Sequence, residues 1–326
     1  MISENMKMMF EIGLVPLVVI DDAADAVPFG QALVDGGVPV AEVTFRTDAC
    51  LDAIRAMRQH VPGLLVGAGT VHNVNQADAA VKAGAEFIVT PAFNPAVTQW
   101  CIDNHVDIVP GTVSPADIEA ANGMGIEVCK FFPAAAYGGV KTLKALAGPF
   151  HDMKFLPTGG VNLDNMTEYL DLPNVAAVGG SFMTPSDMVR NKDWAGITAT
   201  CRQAVHNLLG FEICHTGIHC KTQAEAEDVT DRLCTLLDQE KITIPGVSYF
   251  VGTVVEVCYN TLPGEKGHIG IDTRDMERAM AYYKRRGVEY ADNGLFYDEQ
   301  GRVRLAYFKE LYHGFSVHLR RKPAAK

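Results

Sequence analysis

Short apolar runs alternate with helical stretches eight times along the first two hundred residues, and this alternation limits the fold more than any other feature. The runs are Leu14–Ile20, Val40–Phe45, Leu64–Gly67, Phe87–Thr90, Asp107–Pro110, Val128–Phe132, Phe155–Pro157 and Val175–Val178. Between and after them, apolar spacing near 3.6 marks Ala23–Gly36, Cys50–His60, Asn75–Ala83, Pro95–Asn104, Pro115–Met124, Gly139–Leu146, Asn165–Leu170 and Ala195–Leu208. Strands alternating with helices imply βαβ units and a parallel sheet. Eight of each in about 200 residues predict a closed (β/α)8 barrel at the short end of its size range.

In such barrels chemistry sits where the strands end. Those ends read Glu42-Val43-Thr44-Phe45-Arg46-Thr47, Gly67-Ala68-Gly69-Thr70, Thr90-Pro91-Ala92-Phe93 and Pro110-Gly111-Thr112. Then follow Lys130-Phe131-Phe132-Pro133, Pro157-Thr158-Gly159-Gly160 and Gly179-Gly180-Ser181. One carboxylate and two cations stand among glycine, threonine and proline. The last two loops, each expected to lead into a helix, suit an anion such as phosphate on exposed backbone N–H groups. The alternative is that these glycines merely make tight turns, and two such loops side by side favour the anion site over it.

The other cations sort away from this face. Arg55, Arg58, Lys82, Lys141, Lys144, Arg190, Lys192 and Arg202 fall on helices or outer loops, Lys7 precedes the barrel, and Lys154 opens a strand at its far end. Arg46 and Lys130 remain. Glu42, Thr44 and Arg46 share one face of their strand by period-2 spacing. Lys130 lies within the apolar Val128–Phe132, where an unpaired ammonium is costly. It is either a snorkelling or edge lysine or a reactive amine able to form a Schiff base with a ketone. At pH 7 about one ordinary lysine in 2,500 is neutral. Desolvation and repulsion from Arg46 would both favour the free amine, with Glu42 as acid/base.

Composition shifts near residue 210. Residues 1–210 carry 12 Lys+Arg against 22 Asp+Glu, and residues 211–326 carry 16 against 17. The chain has length for two domains, expected over 1–208 and 211–326. Its net charge of −11 argues against a nucleic-acid or anionic-membrane partner. No apolar stretch reaches the ~18 residues of a membrane span, and Met1–Phe10 does not read as a signal peptide. The 8 cysteines are scattered without a Cys-x-x-Cys pair, as in a reducing cytoplasm.

Taken in order, Glu-Val-Thr-x-Arg-Thr, Gly-Ala-Gly-Thr, Thr-Pro, Lys-Phe-Phe-Pro-Ala, Pro-Thr-Gly-Gly and Gly-Gly-Ser resemble the 2-keto-3-deoxy-6-phosphogluconate (KDPG) aldolases, also described as 4-hydroxy-2-oxoglutarate (KHG) aldolases. The resemblance spans residues 10–208. It implies a metal-independent class I aldolase that takes a 2-oxo acid, usually as a homotrimer. By that resemblance Lys130 is the Schiff-base lysine and Glu42 the acid/base. Arg46 and Thr70 hold the pyruvyl carboxylate, and Pro91 lines the pocket. Thr158, Gly159, Gly160, Gly179, Gly180 and Ser181 fall on the phosphate side. Some members carry a basic residue where strand one ends. Here that stretch reads Val18-Val19-Ile20-Asp21, which leaves open unphosphorylated KHG and the galactonate-derived epimer. A phosphate-binding barrel without aldolase activity is the competing class.

After Leu208 the pattern changes. Strands are expected at Phe211–Cys220, Thr243–Val247, Tyr249–Thr253 and Val254–Tyr259, with a helix at Gln223–Leu237. The order recurs as His268–Asp272, a helix at Met276–Arg286, and strands around Val288–Tyr290, Arg304–Lys309 and Gly314–Leu319. Two βαβββ units joined at Leu262-Pro263-Gly264 form an internal repeat of shape. They resemble the glyoxalase/bleomycin-resistance/extradiol-dioxygenase (vicinal oxygen chelate) superfamily, an α+β fold. That resemblance implies divalent-metal ligands at His215 and Glu256 in one unit and His268 and His318 in the other. Its glyoxalases often carry glutamate at the position of His318. Such a donor set suits Zn, Ni, Fe or Mn, for a lyase, isomerase or oxygenase acting on a 2-oxo acid or sugar acid. Alternatively the histidines are ordinary strand residues in a metal-free binding or assembly module, with His219 and His313 close by in sequence.

Overall fold

The computed structural model describes residues 2–259 and 263–323, so Leu262 of the joining segment lies outside the described residues. The chain divides into two compact units, Met1–Leu208 and Leu209–Lys326.

The first unit is a ring of parallel strands. They are β1 (Leu14–Val18), β2 (Val40–Thr44), β3 (Leu65–Gly69), β4 (Phe87–Val89), β5 (Asp107–Val109), β6 (Gly111–Thr112), β7 (Val128–Phe131), β8 (Lys154–Pro157) and β9 (Val178–Gly180). Hydrogen-bonded neighbours run β5-β4-β3-β2-β1-β9 and β6-β7-β8. Bridges Phe155↔Val175 and Thr158↔Gly179 complete the circle. This is the expected (β/α)8 barrel. β1, β2, β3, β4 and β7 are buried along their whole length, because helices cover one face and the barrel interior the other. That double burial explains why the strands read as unbroken apolar runs.

Three details differ from the sequence expectation. Strand five is split at Pro110, which has no N–H to give the ladder; β5 pairs with β4, and β6 pairs with β7. The last strand begins three residues later than the apolar run and ends two residues later, because Gly179 and Gly180 still pair with Val15 and Pro16. A helix at Glu4–Ile12 precedes the barrel where none was assigned. Its signals were local: the Ser3 hydroxyl accepts from the Met6 N–H, and Gly13, at φ 73°, ends it. Met6, Met9 and Ile12 are its buried stripe. Ser3 also donates to Asp107 at the start of β5 (2.6 Å).

The second unit is one eight-stranded sheet with two helices, Gln223–Leu237 and Met276–Arg285. Its strands are β10 (Glu212–His219), β11 (Lys241–Ile244), β12 (Ser248–Val251), β13 (Val255–Cys258), β14 (Gly267–Thr273), β15 (Tyr290–Tyr297), β16 (Val303–Phe308) and β17 (Phe315–Arg321). The spatial order is β11-β12-β13-β10-β14-β17-β16-β15. Exchanging the two βαβββ halves leaves this order unchanged. The antiparallel pair β10–β14 lies at the centre, with β13 parallel to β10 and β17 parallel to β14. Thr216 faces Ile269 at the pseudo-two-fold. The axis therefore carries His215 onto His268, Gly217 onto Gly270, and Glu256 onto His318.

Candidate active site and candidate metal centre

Lys130 comes from β7 and Glu42 from β2, two strands that are not neighbours in the ring. Both side chains point inward. Lys130 is 4% exposed and Glu42 fully buried, and Lys130 Nζ stands 3.1 Å from Glu42 Oε1. The other carboxylate oxygen, Oε2, is buried without a hydrogen-bond partner among the described residues. Such an atom normally has a partner, so it is available to a substrate hydroxyl or a water. Lys130 Nζ also lies 5.4 Å from the Phe132 ring centroid, in the reach of a cation–π contact.

The neighbouring residues make room for this pair. A Cβ at Gly69 would run into the Glu42 carboxylate, and one at Gly111 into the Pro91 backbone. Threonine hydroxyls tie strand ends together: Thr44 donates to the Val18 carbonyl (3.2 Å), Thr184 to that of Leu17 (2.6 Å) and Thr112 to that of Lys130 (3.3 Å). Thr70 holds φ at 57°. A β-branched residue is seldom left-handed, and such outliers cluster at functional sites.

Arg46 is exposed at the end of β2 and makes no hydrogen bond or ion pair among the described residues. The charged group in contact with the Lys130 amine is therefore the Glu42 carboxylate. Repulsion from Arg46 was expected to act on this lysine beside desolvation; the charged group that touches its amine is a carboxylate. Pro91 is half-buried on the loop after β4.

On the opposite loops, the Thr158↔Gly179 bridge sets the two glycine turns side by side. Thr158, Gly179 and Gly180 are buried, Gly159 is half-buried, and Gly160 and Ser181 are exposed. Gly159 and Gly160 hold φ at 91° and 83°. The helices that follow begin a few residues on and are short: Met166–Leu170, close to the expected Asn165–Leu170, and Ser186–Arg190 after a 3-10 turn at Ser181–Met183. Any anion here would meet turn backbone and hydroxyls, without a long helix dipole behind them.

In the second unit the four predicted ligands converge. His215 Nε2 lies 3.0 Å from His268 Nε2 and 3.3 Å from His318 Nε2. Glu256 Oε2 lies 3.1 Å from His268 Nε2 and 3.5 Å from His215 Nε2. The three histidines are buried. Burial first, then the neighbouring imidazoles, hold His215 near pKa 4 and His318 near 3, so both are neutral at pH 7.

Their remaining atoms have partners of their own. His215 Nδ1 meets Cys214 Sγ (3.2 Å), His268 Nδ1 meets His219 Nε2 (3.0 Å), and His318 Nδ1 faces the Leu319 carbonyl (3.3 Å). Ser248 Oγ donates to Glu256 Oε1 (2.5 Å). This leaves three Nε2 atoms and one carboxylate oxygen directed at each other. A divalent cation fits that donor set.

The sheet was cut to fit these side chains. A Cβ at Gly217 would fall inside the His268 ring, and one at Gly270 inside the His215 ring. The corresponding sequence signal, His215-Thr216-Gly217 matched by His268-Ile269-Gly270, went unread. So did the β-bulge at Cys214, between the Ile213 and His215 pairings, which re-aims the strand.

Residues 5–200 match the family described as "Aldolase: KDPG and KHG aldolase". The 2-dehydro-3-deoxy-phosphogluconate aldolase of Haemophilus influenzae is 42% identical over 195 residues, covering 60% of this chain and 92% of that protein. A Legionella pneumophila KDPG aldolase, solved with pyruvate captured as a covalent carbinolamine, is 38% identical with a TM-score of 0.60; the match covers 62% of this chain and 98% of that one. The Zymomonas mobilis ZM4 KDPG aldolase, solved with 3-phosphoglycerate, is also 38% identical, with a TM-score of 0.59 over 63% of this chain and 96% of that one. With a barrel of this topology carrying an inward lysine paired to a carboxylate, and a match across most of the first unit, the chain belongs to the KDPG and KHG aldolase family.

Proposed function

We propose that Lys130 is the Schiff-base residue of an aldolase that splits KDPG into pyruvate and glyceraldehyde 3-phosphate and KHG into pyruvate and glyoxylate. The observation that carries this reading is the buried Lys130–Glu42 contact at 3.1 Å with Glu42 Oε2 unpartnered. Lys130 adds to the C2 ketone as a free amine, and loss of water leaves a protonated imine. The C4 hydroxyl gives its proton to Glu42. The C3–C4 bond then breaks, its electron pair flowing into the imine to give an enamine. Protonation at C3 and hydrolysis release pyruvate and restore the lysine. The carbinolamine captured in the Legionella relative is the adduct that such an addition forms.

Arg46, exposed and unpaired among the described residues, suits the substrate carboxylate together with Thr70, and Pro91 shapes the pocket wall. Thr158, Gly159, Gly160, Gly179, Gly180 and Ser181 suit the distal phosphate. The phosphorylated ligand in the Zymomonas relative supports that side of the reading. The family resemblance favours a homotrimer, which sedimentation would show at about three times 35.3 kDa. Pyruvate release from KDPG and KHG tests the lysine assignment. Lys130→Met should abolish it on both substrates, and normal turnover by that variant would sink the reading.

In the second unit we propose a divalent-metal site held by His215, Glu256, His268 and His318. Bound there, the ion would supply Lewis-acid polarisation of a carbonyl or an activated water. The protein residues would present His215 and His318 as neutral imidazoles and Glu256 as a carboxylate, exclude solvent and fix ring orientation. About one metal per chain by elemental analysis after mild purification is the expected result; far less would favour a metal-free module.

A further inference from the structure

His219 was not among the predicted ligands, yet it touches one of them. Its Nδ1 meets the Gly264 carbonyl at 2.5 Å and its Nε2 meets His268 Nδ1 at 3.0 Å. A carbonyl oxygen can only accept, so His219 carries its proton on Nδ1. The Nε2 of a neutral imidazole protonated at Nδ1 is an acceptor, and the only donor His268 can offer it is Nδ1–H. His268 is thereby left with a lone pair on Nε2, facing Glu256 Oε2 at 3.1 Å and His215 Nε2 at 3.0 Å. Two acceptors at that separation repel, and a cation between them, or a proton on the adjoining His215 Nε2, relieves it.

The anchor is itself fixed. A Cβ at Gly264 would collide with the Gly267 carbonyl and the Ser316 N–H. Ser316 Oγ donates to the Pro263 carbonyl (2.7 Å), and Lys266 N–H to Gly314 (3.0 Å). The three other converging donors lack this relay: the His318 Nδ1 contact is to the carbonyl of its own neighbour, His215 meets a thiol, and Glu256 meets a serine.

We propose that His219, anchored by the Gly264 carbonyl, is a positioning residue that fixes the Nδ1–H tautomer of His268 and so presents its Nε2 lone pair to a metal. The inference rests on the metal reading of this site. Outer partners of metal-bound histidines typically govern affinity by 10–100-fold.

The test uses the full-length protein with 15N-labelled histidine, metal-free and then titrated with Zn2+ against a chelator of known affinity. In the metal-free wild type, long-range 1H–15N spectra should show His268 protonated at Nδ1. His219→Leu should lose that preference and bind Zn2+ roughly 10–100-fold more weakly. In His219→Gln the amide can donate to Gly264 and its oxygen accept from His268, so the tautomer should persist with affinity within about threefold of wild type. A wild-type His268 protonated at Nε2, or a His219→Leu variant that folds with unchanged tautomer and Zn2+ affinity, would overturn the proposal. Wild type that takes up no Zn2+ while keeping Nδ1–H on His268 would support the relay and remove the metal reading instead.

Discussion

At the scale of single residues, the proposed barrel chemistry rests on two groups that are each expensive to bury. An ammonium and a carboxylate in contact offset each other's desolvation, and a buried pair becomes strongly destabilising when one partner is removed. Glu42 has one oxygen on Lys130 and one without a partner, which suits a group that must both stabilise an amine and take a proton. Glu42→Gln keeps the shape and removes the base. Its kcat on KDPG should fall by about 10²–10⁴-fold, with KM moving far less. A variant retaining more than a tenth of wild-type kcat would show that some other group takes the C4 proton. The Lys130, Glu42 and Arg46 set was legible because the barrel has few cations and strand ends carry its chemistry. The contact between Lys130 and Glu42 was not, since it needs two strands that are far apart in sequence and not adjacent in the sheet. Thr70 was named only through the family resemblance, and its left-handed backbone was not legible, because φ leaves no mark on the sequence.

At the scale of elements, strands were visible as apolar runs because parallel strands of a barrel are buried on both faces. Where that condition weakens, so did the reading. The edge strand β11 has three of its four residues exposed, and lies at Lys241–Ile244 where Thr243–Val247 was expected. The helix Glu4–Ile12 has only three buried residues, too few to stand out. In the second unit the central strands are joined by a buried pair: Arg320 of β17 donates to both oxygens of Asp272 of β14 (2.6 and 3.0 Å). Burial alone would raise the Asp272 carboxyl, but hydrogen bonds from the Arg320 guanidinium outweigh it and hold the group below the usual carboxylate range. A carboxylate depressed in the folded state contributes stability above its unfolded pKa of about 3.9 and loses it as pH falls through the lower folded value. Asp272→Asn should therefore destabilise this unit by about 2 kcal/mol at pH 7, less than a fully buried pair because Arg320 keeps some solvent contact. The difference from wild type should shrink as the pH falls below about 4. Urea unfolding followed by circular dichroism across that range checks it, and a difference that stayed constant with pH would count against the ion pair as its source.

At the scale of the whole molecule, one chain gathers two clusters of polar side chains on two kinds of sheet. The ring of parallel strands holds an amine–carboxylate pair, and the pseudo-symmetric eight-stranded sheet gathers two donors from each βαβββ half. The second arrangement explains why its glycines matter: Gly217 and Gly270 give up their side chains so that the histidine of the opposite repeat can lie across them. The repeat of shape was legible in the order of elements, but the His-x-Gly repeat within it acquired meaning only once β10 and β14 were paired. The barrel carries the central claim, that Lys130 forms an imine with a 2-oxo acid without help from a metal. Borohydride reduction in the presence of pyruvate, with and without prior EDTA treatment, followed by peptide mass spectrometry, addresses it directly. The account predicts a reduced pyruvyl adduct on the Lys130 peptide to the same extent in both samples. Absence of an adduct, an adduct on another lysine, or trapping that EDTA abolishes and Zn2+ restores would contradict it.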